Sequence, residues 1–481
     1  MSPHPALPLA PRRATGATPY PDADRPWAVE THGIDAVPDG DRHGRAVDLF
    51  WVWLAADLGI VGVVYGAVLA TFRLDLAQAI GVAVVGTAGS FLLVGVLGTA
   101  GPRQGLPMLA WSRRLFGTWG NLGPALASWM SLVGWETITA VVTADALLAL
   151  VPAPAAGTGG RTEAVAALGV VAGLALVAGR LGHATIVTVQ RIVAMVFGLA
   201  TLAVVADLLT RAGWARAAAL RPAPFASVVA GVSLVAAAAG VSWVNVSADY
   251  TRYLPTTVRA RAIAWWTTLG ASLPLVVLVV LGYVLWASPA AMSSASDPIG
   301  AIRSALPGWA AVPYLVVAVA GLLAQMVMGL YSSGLNLLAL GVRAPRSRTV
   351  LLDAAIVVCL GAWLLTARRG LLGTFEGFVE LLACPVATWA AVLLAGMARE
   401  RRTGKPSGGA RAATLSWLAG TVLGLLLTSS PLFTGPLARD VLAGDGLGYV
   451  AGAVIGAASF AVASVVTTAA AGGRARRGTP G

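Results

Sequence analysis

An acid stands where no charge is expected: Asp57, in the middle of the apolar run 49–66. A carboxylate at bilayer depth costs several kcal/mol unless it is paired, protonated or turned to a water-filled cavity, so membrane acids usually mark ion or solute sites. Gly59 and Gly62 follow it and weaken the helix beside the acid. An interrupted helix next to a polar group near mid-membrane is how a secondary transporter holds its solute or ion. A second such place is 236–249, rich in Ala and Gly and carrying Ser242, Trp243 and Asn245 where a lipid-facing helix would carry Leu and Val. Glu376 and Glu380 share a helix face by their i, i+4 spacing. With Arg368 and Arg369 nearby they read as structural ion pairing.

Other chemistries find little support. The four histidines are His4, His32, His43 and His183, three of them near the N-terminus, and with Cys359 and Cys384 in separate apolar segments they form no metal-ligand spacing. Both cysteines read as packing groups. No HExxH, GxSxG or Walker-type loop occurs, which argues against a membrane enzyme. A channel would show a repeated filter or a ring of charge. A sensor that binds solute without moving it is the remaining alternative to a transporter.

The elements that must position these residues follow from composition. The chain has 481 residues, 57% hydrophobic and 11% charged, with a mean hydropathy of +0.78. Soluble domains carry about 25% charged residues, so most apolar surface here faces lipid or other helices. Spanning a core of about 30 Å takes about 20 apolar residues. Twelve runs meet that need: 49–71, 76–100, 122–150, 164–179, 185–209, 226–247, 263–287, 311–341, 350–367, 371–397, 412–429 and 447–471. The expected fold is an all-α polytopic membrane protein. The first and sixth runs, which open successive groups of five, are the interrupted ones. That is the pattern of two five-helix repeats (46–210 and 211–398) followed by two extra helices (399–472).

Residues 1–45, rich in Pro, Asp and Arg, are expected to be a disordered cytoplasmic tail, and 473–481 a short C-terminal one. The net charge of +12 sits between apolar runs rather than on a face with interleaved aromatics, so nucleic acid is not an expected partner. With the N-terminus inside, 24 of the 33 Lys and Arg fall on inner segments. The positive-inside rule therefore puts both termini in the cytoplasm and the protein in the inner membrane.

Five stretches, in order, carry a family resemblance: Leu49-Phe-Trp-Val-Trp with Ala55-Ala56-Asp57; Gly101-Pro-Arg-Gln-Gly105-Leu-Pro-Met followed by Ser112-Arg-Arg-Leu-Phe-Gly117 and Gly120-Asn121; Gly134-Trp135; Ser242-Trp243 with Ala248-Asp249-Tyr250-Thr251-Arg252-Tyr253-Leu254-Pro255; and Tyr331-Ser332-Ser333-Gly334-Leu335 with Leu340-Gly341. Over roughly 45–400 the chain resembles the nucleobase:cation symporter-1 family, in particular its purine–cytosine permease branch. The resemblance implies a five-plus-five inverted repeat of the LeuT type, with a small heterocycle held between spans one, three, six and eight and moved with a proton or sodium ion.

What it implies of single residues comes next. Trp135 and Trp243, with Ser242 beside the latter, stand where the family stacks its ring. Thr139, one turn after Trp135, replaces the family's Gln or Asn, and Glu136 directly follows the Trp. Glu136 points about 100° away from Trp135 and either pairs, titrates or lines the cavity edge. Asp57 stands where the family often has Asn; it would read the substrate's edge, carry the coupling proton, or serve as a structural acid. In the eighth span Gln325 is the nearest amide for edge recognition and Gly329 holds the nearer position, while Asn336 reads as a helix–helix hydrogen bond. Val319 and Ala320 fall where sodium-coupled relatives supply hydroxyls, which favours a proton over sodium unless Ser332 and Ser333 compensate. Asp249 and Arg252 resemble a gate or loop anchor, with Arg103 available to pair with an acid there. Asp145 and Asp207 sit near outer helix ends, where solvation suffices. No cofactor or metal is implied, the oligomeric state is unread, and an amino-bearing ring, cytosine or a purine, is the expected solute. Sodium coupling, or allantoin, uracil, thiamine or pyridoxine as solute, is the alternative.

Overall fold

A computed structural model describes residues 25–150, 160–211, 214–286, 300, 308–366, 371–404, 409–438 and 447–477. Glycine and an acid break the first span: α1 (Asp48–Asp57) stops at the acid, and α2 (Val61–Ala70) resumes bent by 58°. α3 (Leu76–Gly98) begins with a capping box, the Asp75 carboxylate accepting from the Gln78 N–H while the Gln78 side chain accepts from Asp75. The short helices α4 (Ala100–Gln104) and α5 (Met108–Gly120) form the following connection. Spans three, four and five are α6 (Leu122–Leu148), α7 (Gly160–Gly179) and α8 (His183–Arg211).

After the short α9 (Trp214–Ala218), the sixth span starts as α10 (Phe225–Ala238) and then unwinds at Ala239 into a 3-10 segment, Gly240–Val246. There follow α11 (Ala260–Trp286), α12 (Gly308–Ala339), α13 (Arg346–Thr366), α14 (Leu371–Thr403), α15 (Ala410–Leu426) and α16 (Gly448–Arg477). Among the described residues ten helices are long and apolar enough to cross a membrane, the bent α1–α2 pair makes an eleventh, and α15 is a shorter apolar helix. The expected spans are thus all helical, and the two interrupted ones open successive sets of five.

The unwound backbone of span six is satisfied by side chains, as it must be away from water. Tyr65 of α2 donates to Ala238 O at 3.1 Å, Ser242 Oγ donates to Ala239 O at 2.7 Å, and Gly240 N–H donates to Ser90 Oγ of α3 at 3.0 Å. α11 packs along α1, α2 and α3. It meets α2 backbone to backbone: a Cβ on Gly66 would lie 2.1 Å from Val279 O, and one on Gly282 2.1 Å from Val63 O. Small residues at such contacts let membrane helices approach closely. α12 packs on α6, completing the four elements around the site, and α15 and α16 pack on α14 and on each other.

Residues 25–47, expected to belong to a disordered tail, are instead packed. Gly182 N–H donates to Ala28 O at 2.9 Å, Val37 N–H to Gly105 O at 3.0 Å, and His43 N–H to Tyr253 O at 2.6 Å. Glu30 is 4% exposed. Composition alone missed this because the strap buries polar groups against partners rather than an apolar face. Residues 1–24 and 478–481 lie outside the described residues, as do Arg368 and Arg369.

Candidate functional site

α6, the unwound segment of span six and α12 enclose a small cavity lined by Leu132, Trp135, Glu136, Thr139, Ser242, Trp243, Gln325, Met326 and Gly329. Seven of the residues singled out in the sequence therefore meet at one place. Trp135 is half-buried, its ring edge-on to Tyr65 (6.4 Å between centroids) and Phe378 (5.8 Å). Trp243 lies edge-on to Trp53 of α1 at 5.5 Å. One aromatic thus comes from a continuous helix and one from an unwound segment. Tyr65 and Phe378 were not singled out in the sequence, where an aromatic in an apolar run carries no distinguishing signal, and Trp53 appeared only within the Leu49-Phe-Trp-Val-Trp stretch.

The polar lining is lopsided. Glu136 is 2% exposed and both its carboxylate oxygens are without a hydrogen-bond partner. Gly329 makes its place: a Cβ there would lie 3.0 Å from Glu136 Cγ and Oε1. Gln325 and Thr139 add an amide and a hydroxyl, and no basic residue lines the cavity. The Ser242 hydroxyl spends its proton on the carbonyls of the broken span, at 3.1 and 2.7 Å, so towards a ligand it can only accept. The Glu136 carboxylate and the Ser242 hydroxyl accept, Gln325 and Thr139 can accept or donate, and with no basic residue present the balance suits a ring with donor N–H groups on its edge.

Asp57 is not among the lining residues. It ends α1 at the break, buried, with one oxygen unpartnered. The break itself touches the site, because a Cβ on Gly59 would lie 4.0 Å from Gln325 Oε1. Gly321 of α12, next in sequence to Val319 and Ala320, faces Gly59. Ser332 is hydrogen-bonded to Tyr250 OH at 2.9 Å. Asn336 does bridge helices as expected: it and Asn245 both donate to Ser128 Oγ, at 2.6 and 2.7 Å.

Below the cavity, the residues of the run 249–253 tie several elements together. Asp249 accepts from Met108 N–H at 2.8 Å, Tyr250 donates to Met328 O at 2.8 Å, and Thr251 donates to Gly98 O at 2.7 Å. Arg252, fully buried, pairs with Glu30 of the strap and donates to Gly33 O at 2.6 Å and to Tyr331 OH at 3.0 Å. Tyr253 donates to the same Glu30 oxygen at 2.6 Å, and its ring stacks on His183 at 4.5 Å. Arg346, at the start of α13, stands 3.9 Å from the other Glu30 oxygen and donates to Gly179 O at 2.9 Å. Arg103 is exposed and makes none of these bonds. Burial raises the Asp249 carboxyl to about 7, against the opposing influence of the Met108 hydrogen bond and the Arg252 charge.

Cys384 is buried against Thr428 Oγ1 at 3.2 Å, whereas Cys359 is exposed on the outer face of α13 rather than packed. The larger groove between α1, α8 and α11, lined by Leu54, Met195, Leu199 and Leu278 among others, is almost wholly aliphatic and lacks the polar groups that would orient a heterocycle.

An all-helical membrane bundle with two broken spans defines the class: a polytopic transporter of the LeuT-like fold, not an enzyme. Residues 36–406 match the family described as "Permease for cytosine/purines, uracil, thiamine, allantoin", and the chain belongs to that family. YxlA of Bacillus subtilis (strain 168), named as a purine-cytosine permease, is 27% identical over 268 residues, 54% of this chain and 55% of that protein. The chain thus spans about half the length of that relative. Among solved structures, the nucleobase-cation-symport-1 family transporter Mhp1, closed with bromovinylhydantoin bound, overlays at a TM-score of 0.67. That overlay has 16% identity and covers 94% of this chain and 97% of Mhp1. The inward-facing form of Mhp1 overlays at 0.62, with 14% identity and coverage of 93% and 96%. MhsT in complex with L-phenylalanine overlays at 0.59, with 13% identity, covering 88% of this chain and 98% of that one.

Proposed function

We propose that this transporter imports an amino-bearing nucleobase, cytosine or a purine, by alternating access, and that a proton drives it. The observation that carries this reading is the cavity itself. Two tryptophans supply faces, Glu136, Thr139 and Gln325 supply acceptors along an edge, and no cation competes for them. A planar ring with a donor edge suits that arrangement. The substrates in the family's description, and the hydantoin bound to Mhp1, support a heterocycle of this size. The cavity is contracted to about 20 Å³, far below the roughly 300–1,000 Å³ of an open ligand pocket, so solute enters by movement of its walls. The Arg252–Glu30 seal closes one end, and we place that end, with both termini, in the cytoplasm of a cell bounded by its inner membrane.

Asp57, at the break of the first span, is read as a coupling-proton site and as a reader of the substrate's edge once the cavity opens towards it. Sodium is the second reading. The aliphatic side chains of Val319 and Ala320 beside the Gly59–Gly321 contact disfavour it, because sodium wants several oxygens.

The test is uptake of labelled cytosine, adenine, hypoxanthine and uracil into cells expressing the chain, with Asp57→Asn beside the wild type and with or without a proton uncoupler. Saturable uptake of amino-bearing bases that collapses in both the variant and the uncoupled cells supports the full reading. Uptake that survives both removes Asp57 and the proton. Absence of uptake from correctly inserted protein turns the search to other heterocycles, vitamins first.

A further inference from the structure

We propose that a pocket between α4, α5 and α14, at the end of the bundle closed by the strap, binds an anionic phospholipid, its phosphate on a rim of arginines and part of an acyl chain on an apolar floor. The inference goes beyond the functional reading and holds whatever the solute is. Only the leaflet, the cytoplasmic one, rests on the orientation proposed above. The sequence builds the two walls. Leu393, Gly396, Met397, Glu400 and Arg401 recur at spacings of three and four, so they share one face of α14 that turns from apolar to charged as the helix ends. Trp111, Arg114 and Leu115 share a face of α5 in the same way. Trp389, one turn before Leu393, donates to Ser112 Oγ of α5 at 2.8 Å and joins the two helices.

Between these walls lies a pocket of about 240 Å³ with Arg103, Gln104, Trp111, Arg114, Glu400 and Arg401 in its lining. It shares Trp111, Arg114, Met397 and Glu400 with a narrower part of about 50 Å³, walled by Leu115, Leu393 and Gly396. Leu115 and Leu393 are buried, so this part is the floor. Three arginines, one from each helix, thus face a single acid. Among the described residues none of the three enters an ion pair, and Arg114 donates to the neutral Gln104 Oε1 at 2.5 Å. The pocket keeps an excess of positive charge. Guanidinium groups stay charged and match phosphate oxygens in geometry.

Exposed arginines at a membrane boundary commonly do no more than set orientation. Here they converge from three elements on one pocket, whereas Arg259 and Arg261, exposed by the start of α11, lie outside it. A free phosphate would use the rim alone. A phospholipid uses rim and floor together, with the Trp111 indole at headgroup level, and that continuity selects the lipid. The same helices carry the seal. A Cβ on Gly101 of α4 would lie 2.1 Å from Thr251 Oγ1, the Met108 N–H that opens α5 binds Asp249, and Arg42 of the strap donates to Pro102 O. A headgroup that bridges Arg103 and Arg114 to Arg401 fastens α4 and α5 to α14 beside that seal. A ligand that binds the folded protein alone stabilises it by mass action, so bound lipid raises the melting temperature.

The experiment titrates the purified, delipidated full chain in neutral detergent with dioleoyl phosphatidylglycerol, with dioleoyl phosphatidylcholine and with inorganic phosphate. Native mass spectrometry reads the bound lipid, and a thermal melt reads its effect. The wild type is expected to prefer phosphatidylglycerol and to melt higher with it. The combined variant Arg103→Gln, Arg114→Gln, Arg401→Gln should bind that lipid roughly tenfold more weakly and lose the melting shift. Arg259→Gln with Arg261→Gln, which removes two charges at the same end, should keep both. Equal binding of the two lipids by the wild type overturns the proposal. So does a preference that survives the combined variant, or one that the Arg259 and Arg261 changes abolish equally. A melting shift that inorganic phosphate reproduces in full assigns the rim to a free anion and overturns the lipid. If the combined variant does not fold, Arg103→Gln and Arg401→Gln are compared singly, and a preference unchanged in both overturns the site. No transport is measured, so failure of the nucleobase reading leaves this result standing.

Discussion

Trp135 is the residue whose removal should speak most directly to substrate. It is half-buried, edge-on to two other rings, and lines the cavity. Stacking of a base on an aromatic is worth about 1–3 kcal/mol. Trp135→Ala is therefore expected to weaken substrate affinity roughly 5- to 150-fold, read as the KM for counterflow, while Trp135→Phe retains most of it. Glu136→Gln separates recognition from stacking. It should depress uptake of cytosine and adenine more than that of uracil, because an amide returns a donor where the amino group needs an acceptor; equal loss for all three would remove Glu136 from edge recognition. The Ser242-Trp243 pair was legible in the sequence because its small-residue run departs from lipid-facing composition, whereas Trp135, Thr139, Gln325 and Gly329 were legible only through the family resemblance. Glu30 was not legible at all, since an acid in a polar, proline-rich stretch looks solvated until its partners 222 and 223 residues away are brought to it.

The strap and the run 249–253 behave as one element although they are far apart in sequence. Glu30 joins two arginines and a tyrosine, all essentially buried. Removing one partner of a buried pair typically costs about 3–5 kcal/mol, since the other charge is left without compensation. Glu30→Gln is expected to lower thermal stability markedly and to expose a cysteine introduced at position 332 or 333 to a water-soluble thiol reagent; unchanged labelling would show that the strap does not hold that end shut. Asp249 gives the same element a pH dependence. Its carboxyl, raised by burial to about 7 from an ordinary value near 4, binds its proton more tightly folded than unfolded. Stability contributed by that proton is present at low pH and is lost as pH rises from about 4 to 7. The wild type should become easier to melt across that window, and Asp249→Asn should flatten this part of the profile. At this scale the sequence disclosed the helices and their interruptions, because apolar length and glycine content are local. It did not disclose the packing of 25–47, which depends on hydrogen bonds to loops from both halves of the chain.

For the whole molecule, arginine placement predicts both termini inside, and reporter fusions after residue 1 and residue 481 should both be active in the cytoplasm; opposite locations would require an odd number of spans. The halves are held together at contacts that admit nothing larger than hydrogen, as at Gly66 and Gly282. Gly66→Leu should therefore fail to assemble rather than transport slowly, which detergent-stable yield would register. The strap also has a consequence for biosynthesis. Glu30 leaves the ribosome 222 residues before Arg252, and longer still before Arg346. Until α13 is inserted the carboxylate must wait with its final company incomplete, so this end of the bundle is finished only after nine spans are made. A nascent chain halted before Arg346 should leave the strap open to protease although its first eight spans are in the membrane, and release of the arrest should protect it.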